Sequence, residues 1–335
     1  MSLPRRVAVL GGGRSSEHEV SLRSAAAVSG GLQQAGHDVI SIEIGRDGVW
    51  RRDGAELSLT PGRGMSGVDV VFPVLHGPFG EDGTLQGLLE ALGVPYVGAG
   101  VLASAVCMDK VRSKELLSRA GIPQVDYRAV TRSQLRAGAQ DMLGALGSLG
   151  LPVFVKPARL GSSVGIARVA SAGALEAALA DAFEHDSLAI VEACATGIEV
   201  ECSVIGNGDP FASEPGEIVL TDPSEGGWYD YAAKYDAGRM RLVVPARISE
   251  AAGQRVRDLA VEVFCLLGCT GLARVDFFVD GERVLVNELN TMPGFTETSV
   301  FGALLGASGL PFADVVDRLV DLAIERHAEE SAYRH

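Results

Sequence analysis

The chain lacks the surplus of positive charge that a nucleic-acid or anionic-membrane surface requires. Its 335 residues carry a formal net charge of −14, whereas such surfaces attract a protein through a positive field. Long hydrophobic runs are also missing, because Gly93, Pro95, Gly98 and Gly100 break the uncharged stretch 91–108, and "RVAVLGGG" is too short for a signal segment. We therefore predict a cytoplasmic protein that binds a small molecule, with no nucleic-acid partner and no membrane span.

Cysteine is scarce, and the sequence contains no zinc-binding motif. The five cysteines are scattered through apolar segments, which predicts small core residues in a reducing compartment and no disulfide framework. The six histidines form no HExxH pair, so a zinc site is not predicted. No Gly-Lys dipeptide occurs anywhere, which excludes a Walker A phosphate loop.

Lysine is rare as well. Of 29 basic residues only four are lysines, at positions 110, 114, 156 and 234, so arginine serves the ordinary solvated surface. A lysine in such a chain is expected where a compact ammonium is needed. Lys110 opens a helix, where a cation opposes the helix dipole, so it is expected to have a role other than helix stability. Lys114, one turn later, is expected at the surface.

The apolar pattern divides the chain into three regions. Over 1–107, short apolar strands alternate with helical patterns, which predicts a parallel sheet with crossover helices. Over 108–193, a helix is followed by strands that flank a glycine and serine loop, which predicts a smaller α+β unit. Over 194–335, strands dominate, with helices at 249–267 and near the C-terminus. The fold class is therefore α/β and α+β, with no internal repeat and no low-complexity linker.

Polar side chains interrupt two apolar strands of the third region. Period-2 geometry gives each strand one face with polar residues: Arg274, Asp276 and Phe278 in "LARVDFFVD", and Val286, Glu288 and Asn290 in "RVLVNELN". If these faces align through the hairpin "DGER", two carboxylates and one amide converge, and such oxygens suit Mg²⁺ bound with nucleotide phosphates. A solvated face of an antiparallel sheet is the alternative. Asn287 falls on the opposite face and has no predicted role.

A glycine and serine loop offers a phosphate site. In "VKPARLGSSVGIARV", a strand with Lys156 leads into Gly161, Ser162, Ser163 and Gly165 and then into a return strand. Such a loop can donate backbone N–H groups to phosphates, with Lys156 as a point charge beneath them. A mobile hairpin without a ligand is the alternative.

Together, these motifs resemble those of the ATP-grasp superfamily, and within it the D-alanine:D-alanine ligase family. The resemblance rests on "GGGRSSEHEVSLRSA", "LHGPFGEDGTLQGLLE", "PYVGAG", "MDKVRSK", "VKPARLGSSVGIARV", "WYDYAAKY", "ARVDFFV" and "NELNTMPGFTETS", in order along nearly the whole chain. It implies an ATP-grasp fold that is preceded along the chain by an N-terminal parallel-sheet (pre-ATP-grasp) domain, which binds the first D-alanine. It also implies a homodimer that joins two D-alanine molecules through a D-alanyl phosphate, for peptidoglycan precursor synthesis.

The resemblance further implies which residues bind ATP and metal. The ATP-binding set is Lys110, Lys156, Ser162, Ser163, Glu192, Glu199 and Lys234. Within it, Glu192 would contact the adenine and Glu199 the ribose. The metal set, for two Mg²⁺ or Mn²⁺ ions, is Asp276, Glu288 and Asn290.

The substrate and catalytic sets follow from the same resemblance. D-alanine would be bound by Glu17, His76, Lys234, Arg274 and Ser299, with Glu17 at the ammonium of the first molecule and Ser299 and Lys234 at the carboxylate of the second. The catalytic set is Glu17, Ser162, Tyr235, Arg274, Gly294 and Ser299. Arg274 and the Gly294 N–H would stabilise the oxyanion. Tyr235 would reach Glu17 and Ser162 from a mobile loop over 224–239.

Three other interpretations stay open. An ATP-grasp ligase with a different second substrate, such as D-lactate, would share these motifs, although Tyr235 favours the dipeptide-forming branch. A nucleotide-binding regulator without turnover would share the ATP site. A dinucleotide oxidoreductase would rest on "LGGGRSSE" alone, in which Ser16 stands where a third glycine belongs and Glu43 lies beyond the usual spacing.

Overall fold

The computed structural model describes residues 3–137, 146, 148–161, 164–221, 240–296 and 299–333. The described strands form three sheets, which we name the N-terminal, central and C-terminal sheets. Four residues of the predicted site, namely Ser162, Ser163, Lys234 and Tyr235, lie outside the described residues, as does the predicted loop over 224–239.

The N-terminal sheet has the strand order β4-β3-β2-β1-β5. Its elements are β1 (Arg6–Gly12), α1 (His18–Gln34), β2 (Asp38–Ile44), β3 (Trp50–Arg52), β4 (Ala55–Glu56), β5 (Val70–Pro73), α2 (Thr84–Leu92) and α3 (Val101–Met108). Strand β1 pairs in parallel with β2 and β5, as predicted, but β3 and β4 add an antiparallel hairpin. Asp53 and Gly54 form its two-residue loop with φ of 52° and 80°, and such Asp-Gly loops match the twist of the strands.

The central sheet is antiparallel and has the strand order β6-β9-β7-β8. Its elements are α4 (Lys110–Ala120), β6 (Tyr127–Thr131), α5 (Arg132–Ala137), β7 (Val153–Pro157), β8 (Ala167–Val169), α6 (Leu175–His185) and β9 (Leu188–Ala193). One face of the sheet packs on α6, where Val155 and Val191 meet Leu179. The other face carries Ile190, which packs against Val111 of α4. Helix α4 therefore covers the face that also carries Lys156 and Glu192.

The C-terminal sheet is antiparallel and has the strand order β13-β12-β10-β14-β15, with β11 beside β10. Its elements are β10 (Ile198–Gly206), β11 (Phe211–Ala212), β12 (Gly216–Leu220), β13 (Met240–Val243), α7 (Glu250–Leu266), β14 (Gly271–Asp280), β15 (Arg283–Asn290), α8 (Val300–Ala307) and α9 (Phe312–Ser331). Ser249 caps α7 by accepting a hydrogen bond from the Ala252 N–H at 3.1 Å. The apolar face of α7 buries Leu259 and Val263 against Val275 of the sheet.

A β-bulge in β15 changes the predicted arrangement of faces. Glu288 lies opposite Asp276, but Val286 lies opposite Phe277, so Asn287 is an extra residue in the ladder. The extra residue shifts the alternation by one position. Val286 is consequently fully buried in the core beneath α7, and the prediction that it shares a face with Glu288 is wrong. Asn287, predicted on the opposite face from Glu288, lines the same cavity as Glu288.

The two C-terminal helices pack the C-terminal sheet against the N-terminal one. Helix α9 buries Val316 and Leu319 with Val28 and Leu32 of α1, and Phe301 of α8 joins the same cluster. Within the described residues, no single helix is long and apolar enough to cross a membrane. Helices α8 and α9 meet that criterion only when taken as a pair, and they are bent by 103° at their junction.

Arg326 of α9 ties the two sheets together with a buried guanidinium. Its Nη1 donates to the Gly98 carbonyl oxygen at 2.6 Å and to Thr270 Oγ1 at 3.0 Å, and its Nη2 donates to the Tyr96 carbonyl oxygen at 3.2 Å. The guanidinium carbon lies 4.2 Å from the centroid of the Tyr96 ring. One side chain thus satisfies backbone carbonyls before α3 and a hydroxyl before β14.

We predict that Arg326→Ala lowers the free energy of unfolding by about 2–4 kcal/mol, because the Tyr96 carbonyl oxygen loses its donor and the Gly98 carbonyl oxygen is left with the longer hydrogen bond from Thr270 Oγ1 at 3.2 Å. Urea unfolding followed by circular dichroism measures the change. Arg318→Ala is the matched control, since Arg318 is exposed on the same helix, and it is expected to change stability by less than about 0.5 kcal/mol. Equal losses in the two variants would contradict the assigned role.

Candidate active site

A cavity of about 1150 Å³ is lined by residues from all three regions of the chain. The sequence-predicted residues that line it are Glu17, His76, Lys110, Lys156, Glu192, Glu199, Arg274, Glu288, Asn290, Gly294 and Ser299. Asp276 is not part of the lining, because it is only 2% exposed and lies behind Arg274. The fold therefore brings together the predicted residues that the structure describes.

Two lysines share one buried carboxylate at the central sheet. Lys156 Nζ lies 2.6 Å from Glu192 Oε2, and Lys114 Nζ lies 3.0 Å from Glu192 Oε1. Burial alone would raise the pKa of Glu192, but the two ammonium groups lower it to about 2. The pKa of Lys156 is raised, because the charges of Glu192 and Glu288 outweigh the effect of its burial.

The burial of Lys114 contradicts the prediction that it lies at the surface. Lys114 is only 2% exposed. It follows Val111 by three positions on α4, and residues three apart lie on the same face of a helix. Val111 packs against Ile190 of the central sheet, so Lys114 faces the sheet as well.

Lys110 lies between the glycine and serine loop and the C-terminal sheet. Its Nζ donates to the Leu160 carbonyl oxygen at 2.9 Å and is 3.6 Å from Glu288 Oε2. The position is fixed by the start of α4, where the Asp109 side chain accepts hydrogen bonds from the Val111 and Arg112 N–H groups at 3.1 and 3.0 Å. By capping α4, Asp109 thus fixes the position of Lys110, the first residue of the helix, whose ammonium lies in the cavity.

The predicted metal ligands occupy adjacent register positions of β14 and β15. Asp276 faces Glu288, and Arg274 faces Asn290. Arg274 binds both oxygens of Asp276, with Nε–Oδ1 at 2.7 Å and Nη2–Oδ2 at 2.8 Å, and Asn290 Nδ2 donates to Asp276 Oδ2 at 3.1 Å. Two carboxylates and an amide are hard oxygen donors that suit Mg²⁺. A metal ion at Asp276 would compete with these three hydrogen bonds for the lone pairs of the carboxylate.

The described residues contain no group of three or more His, Cys, Asp or Glu side chains arranged to hold a metal. The proposed set has two acidic members, and its third donor is an amide, so it differs from such a group in composition. Its donor chemistry nevertheless fits a magnesium ion that takes its remaining ligands from phosphates and water.

Glu201, a fully buried carboxylate on β10, also belongs to this site, although it is not among the residues predicted from the sequence. Glu201 faces Asp276 across the sheet, and its Oε2 lies 2.9 Å from Arg274 Nε. Arg274 is therefore held between two carboxylates. The signal was available, because Glu201 interrupts the apolar segment "VECSVIG", but its partner is known only once β10 is paired with β14.

The N-terminal end of the cavity holds two more carboxylates and a histidine. Glu17 takes the N-cap position of α1, and the nearby Ser15 Oγ donates to the His76 carbonyl oxygen at 2.7 Å. His76 Nδ1 lies 3.0 Å from the Met292 carbonyl oxygen, so this nitrogen donates. Burial lowers the pKa of His76, although the charge of Glu17 opposes that effect. His76 is thus a neutral link to the segment after β15.

Glu81 is a second residue of the site that is not among those predicted from the sequence. It lies in "HGPFGEDG", accepts a hydrogen bond from the Gly77 N–H at 2.8 Å and lines the cavity. Burial, followed by the charge of Glu17, raises the pKa of Glu81 to about 8. Glu17 and Glu81 both approach Gly161, since a Cβ on Gly161 would be 3.4 Å from Glu17 Oε2 and 4.0 Å from Glu81 Oε1.

Gly294 and Ser299 form the opposite wall, at the start of α8. Ser299 occupies the N-cap position, and its Oγ accepts a hydrogen bond from the Thr296 N–H at 2.9 Å. A Cβ on Gly294 would lie 2.9 Å from Ser299 Oγ, so a side chain at this position would force Ser299 Oγ to move. The first turn of α8 adds backbone N–H groups and the positive end of a helix dipole to this wall.

We predict that Glu81→Gln flattens the pH dependence of stability. Because the pKa of Glu81 lies above its ordinary value of 4.5, its contribution is fully present below about pH 4.5 and is lost as the pH rises through about 8. Thermal midpoints measured at several pH values in this window should fall more steeply in the wild type than in the variant. Glu329→Gln, at an exposed position of α9, is the control. Parallel pH curves for wild type and Glu81→Gln would contradict the assignment.

Comparison with known proteins identifies the family. The model "D-ala D-ala ligase N-terminus" matches residues 6–63 and 57–99, and "D-ala D-ala ligase C-terminus" matches residues 116–321. The chain is 45% identical over 341 residues to the D-alanine--D-alanine ligase of Deinococcus radiodurans, with 96% of this chain and 99% of the relative covered. It is 43% identical over 357 residues to the enzyme of the same name from Geobacillus thermodenitrificans, with 97% of each covered.

Solved structures agree with the sequence comparison. The D-alanine-D-alanine ligase from Coxiella burnetii superposes with a TM-score of 0.87 at 34% identity, covering 98% of this chain and 97% of that one. The VanG D-Ala:D-Ser ligase from Enterococcus faecalis superposes with a TM-score of 0.85 at 37% identity, covering 96% of this chain and 100% of that one. These similarities confirm the predicted ATP-grasp fold class. The chain belongs to the D-alanine--D-alanine ligase family.

Proposed function

We propose that this protein joins two D-alanine molecules in an ATP-dependent reaction that proceeds through a D-alanyl phosphate and serves peptidoglycan precursor synthesis. The observation that carries the proposal is a cavity in which lysines, carboxylates and Arg274 meet. The chain's similarity to D-alanine--D-alanine ligases over nearly their full length supports it.

The dinucleotide alternative loses its only support, because the glycines of "LGGGRSSE" have a packing role. A Cβ on Gly11 would lie 2.8 Å from the Ala25 side chain, and one on Gly12 would collide with the Ile44 carbonyl oxygen. Gly12 and Gly13 also have φ of 93° and 98°, which glycine adopts most readily. These glycines let α1 and β2 approach β1 closely.

We assign ATP to the space between the central and C-terminal sheets. Lys110, Lys156 and Lys234 would neutralise the charge of the phosphates, and Ser162 and Ser163 would donate hydrogen bonds to them. Glu192 would lie at the adenine, and Glu199, which lines the cavity from β10, would lie at the ribose. The lysines of the cavity are already paired with carboxylates of the protein. On nucleotide binding, phosphates would replace some of these carboxylates as partners of the lysines.

Asp276, Glu288 and Asn290 would hold two Mg²⁺ or Mn²⁺ ions. Bound metal would neutralise the charge on the transferring phosphate. Arg274 would release Asp276 on metal binding, while Glu201, at 2.9 Å from Arg274 Nε, would still balance its charge. The freed part of the guanidinium would then face the substrates.

The remaining residues would position the two amino acids. Glu17, with His76 nearby, would bind the ammonium of the first D-alanine. The carboxylate of this D-alanine would then attack the γ-phosphate of ATP. ADP would leave in that first step. The neutral amine of the second D-alanine would then attack the carbonyl carbon of the acyl phosphate, and Arg274 and the Gly294 N–H would stabilise the oxyanion. Collapse of this tetrahedral intermediate would expel inorganic phosphate, and the amine nitrogen would lose a proton to give the amide.

Ser299 and the first turn of α8 would hold the second carboxylate, with Lys234. Tyr235, with Glu17 and Ser162, would close the site against water, which hydrolyses an acyl phosphate.

We also propose a cytoplasmic homodimer. ATP is an intracellular substrate, which supports the location. All five cysteines are free thiols, as suits a reducing compartment. The dimer is supported by the family resemblance alone.

A D-alanine–D-serine ligase is the second candidate, since the solved D-Ala:D-Ser ligase shares 37% identity and a TM-score of 0.85 with this chain. The relatives and solved structures described above are D-alanine--D-alanine and D-Ala:D-Ser ligases, and none of them favours D-lactate as the second substrate.

We predict that the protein releases phosphate from ATP with D-alanine alone. Release would be measured with D-alanine, with D-alanine plus D-serine and with D-alanine plus D-lactate, each at two pH values. If the protein joins two D-alanine molecules, we expect neither D-serine nor D-lactate to increase phosphate release by a large factor. Absence of release with D-alanine alone, together with release after addition of D-serine, would replace it with the second candidate.

Arg274→Ala separates an enzyme from a nucleotide-binding regulator in the same assay. The variant is expected to retain ATP binding and to lose phosphate release by roughly 10²–10³-fold, as when one oxyanion donor is removed. Unchanged phosphate release would exclude the proposed role of Arg274.

A further inference from the structure

Lys114 is a buried cation that the proposed reaction does not use. It is 2% exposed, and it is not among the residues that line the cavity. In a chain that places arginine at its surface, one of four lysines is therefore committed to the interior. Burying an ammonium is unfavourable unless it is paired, and the partner of Lys114 is Glu192 Oε1 at 3.0 Å.

The two lysines at Glu192 differ in access to the cavity. Lys156 lines it, whereas Lys114 lies behind Glu192 on α4. Nucleotide phosphates can therefore reach Lys156 but not Lys114. As Lys156 turns toward a phosphate, the carboxylate of Glu192, which is 3% exposed, loses its 2.6 Å partner. A buried carboxylate left without a cation is strongly destabilised.

We propose that Lys114 is a positioning residue for ATP binding: it stays paired with Glu192 and thereby lets Lys156 move from Glu192 to a phosphate. The inference rests on the proposed ATP-binding function and deepens it. Lys114 is the permanent counter-ion of Glu192, and Lys156 is the exchangeable one.

The surroundings of Lys114 keep it in place. Its Nζ lies 5.8 Å from the centroid of the Tyr127 ring, and its carbonyl oxygen accepts a hydrogen bond from Gln124 Nε2 at 2.8 Å. The start of the helix is anchored to the central sheet by the Lys110 N–H, which donates to the Ala158 carbonyl oxygen at 3.0 Å. Lys114 therefore approaches Glu192 from a fixed helix.

The charges around Glu192 give the proposal a distinctive consequence. The residues opposite it in the sheet are Tyr127 and Phe154, the cations are Lys114 and Lys156, and the other carboxylates acting on Lys156 are Glu199 and Glu288. With Lys114 present, Glu192 stays ionised when Lys156 leaves. Without Lys114, departure of Lys156 would favour proton uptake by Glu192. ATP binding would then be coupled to a proton and would be tighter at lower pH.

Isothermal titration calorimetry with a non-hydrolysable ATP analogue and Mg²⁺, in two buffers of different ionisation enthalpy, tests this coupling. Wild type is expected to take up no proton at Glu192. For Lys114→Met at pH 8 we expect affinity to fall at least ~10-fold, with uptake of up to about one proton, because one partner of a buried ion pair is gone. Lys114→Arg should restore most of the affinity. Adenosine has no phosphate, so its affinities for wild type and for Lys114→Met should differ by less than about twofold.

Arg112→Met is the matched control, because Arg112 is exposed on the same helix and its side chain pairs with the exposed Glu115. It should bind the analogue like wild type. If Lys114→Met binds the analogue as tightly as wild type and takes up no extra proton, the inference is overturned. An equal loss of adenosine affinity overturns it too, since Lys114 would then support the base site. Failure of wild type to bind the analogue overturns the proposed function itself.

A second comparison serves if Lys114→Met alone does not fold. In a Glu192→Gln background the carboxylate is replaced by a neutral amide, which needs no counter-ion. Adding Lys114→Met to this background should therefore change analogue affinity by less than about twofold, with no proton uptake. A tenfold further loss in that background would overturn the inference, because Lys114 would then act on the nucleotide by another route.

Discussion

A strand that supplies both a hydrophobic core and a charged cavity must change the phase of its alternation, and β15 does so at Asn287. Before the bulge, Val284 and Val286 face the core beneath α7, and after it Glu288 faces the cavity. Regular alternation would place Glu288 on the side of Val286. An unpaired carboxylate in that core would cost several kcal/mol. The bulge therefore makes one strand compatible with both surroundings.

Pairing of opposite charges is the second constraint on the cavity. Glu192 is shared by Lys114 and Lys156, Asp276 is bound by Arg274, and Lys110 lies near Glu288. These pairs compensate the buried charges of the protein. Phosphates and metal ions would bind by exchanging such partners. We therefore expect the second counter-ions, Lys114 at Glu192 and Glu201 at Arg274, to affect binding as well as the residues that face the ligand.

Local patterns predicted most of the fold, because strand alternation and helix spacing are properties of neighbouring residues. The hairpin of β3 and β4 and the burial of Lys114 also had local signals, namely an Asp-Gly dipeptide and the spacing from Val111. The bulge at Asn287 had no local signal, because it is defined by the pairing of β15 with β14. Glu201 was visible as a carboxylate in an apolar segment, but its proximity to Arg274 depends on the pairing of β10 with β14. Glu81 was visible in a motif, but its raised pKa depends on burial and on Glu17.

The bulge and the metal site of β14 and β15 can be tested together by a crystal structure with Mn²⁺ and a non-hydrolysable ATP analogue, in which anomalous scattering locates the Mn²⁺. We predict Mn²⁺ beside Asp276, Glu288 and Asn290, at the phosphates, with Val286 still in the core. Mn²⁺ bound away from these three residues, or a β15 without the bulge at Asn287, would contradict this prediction.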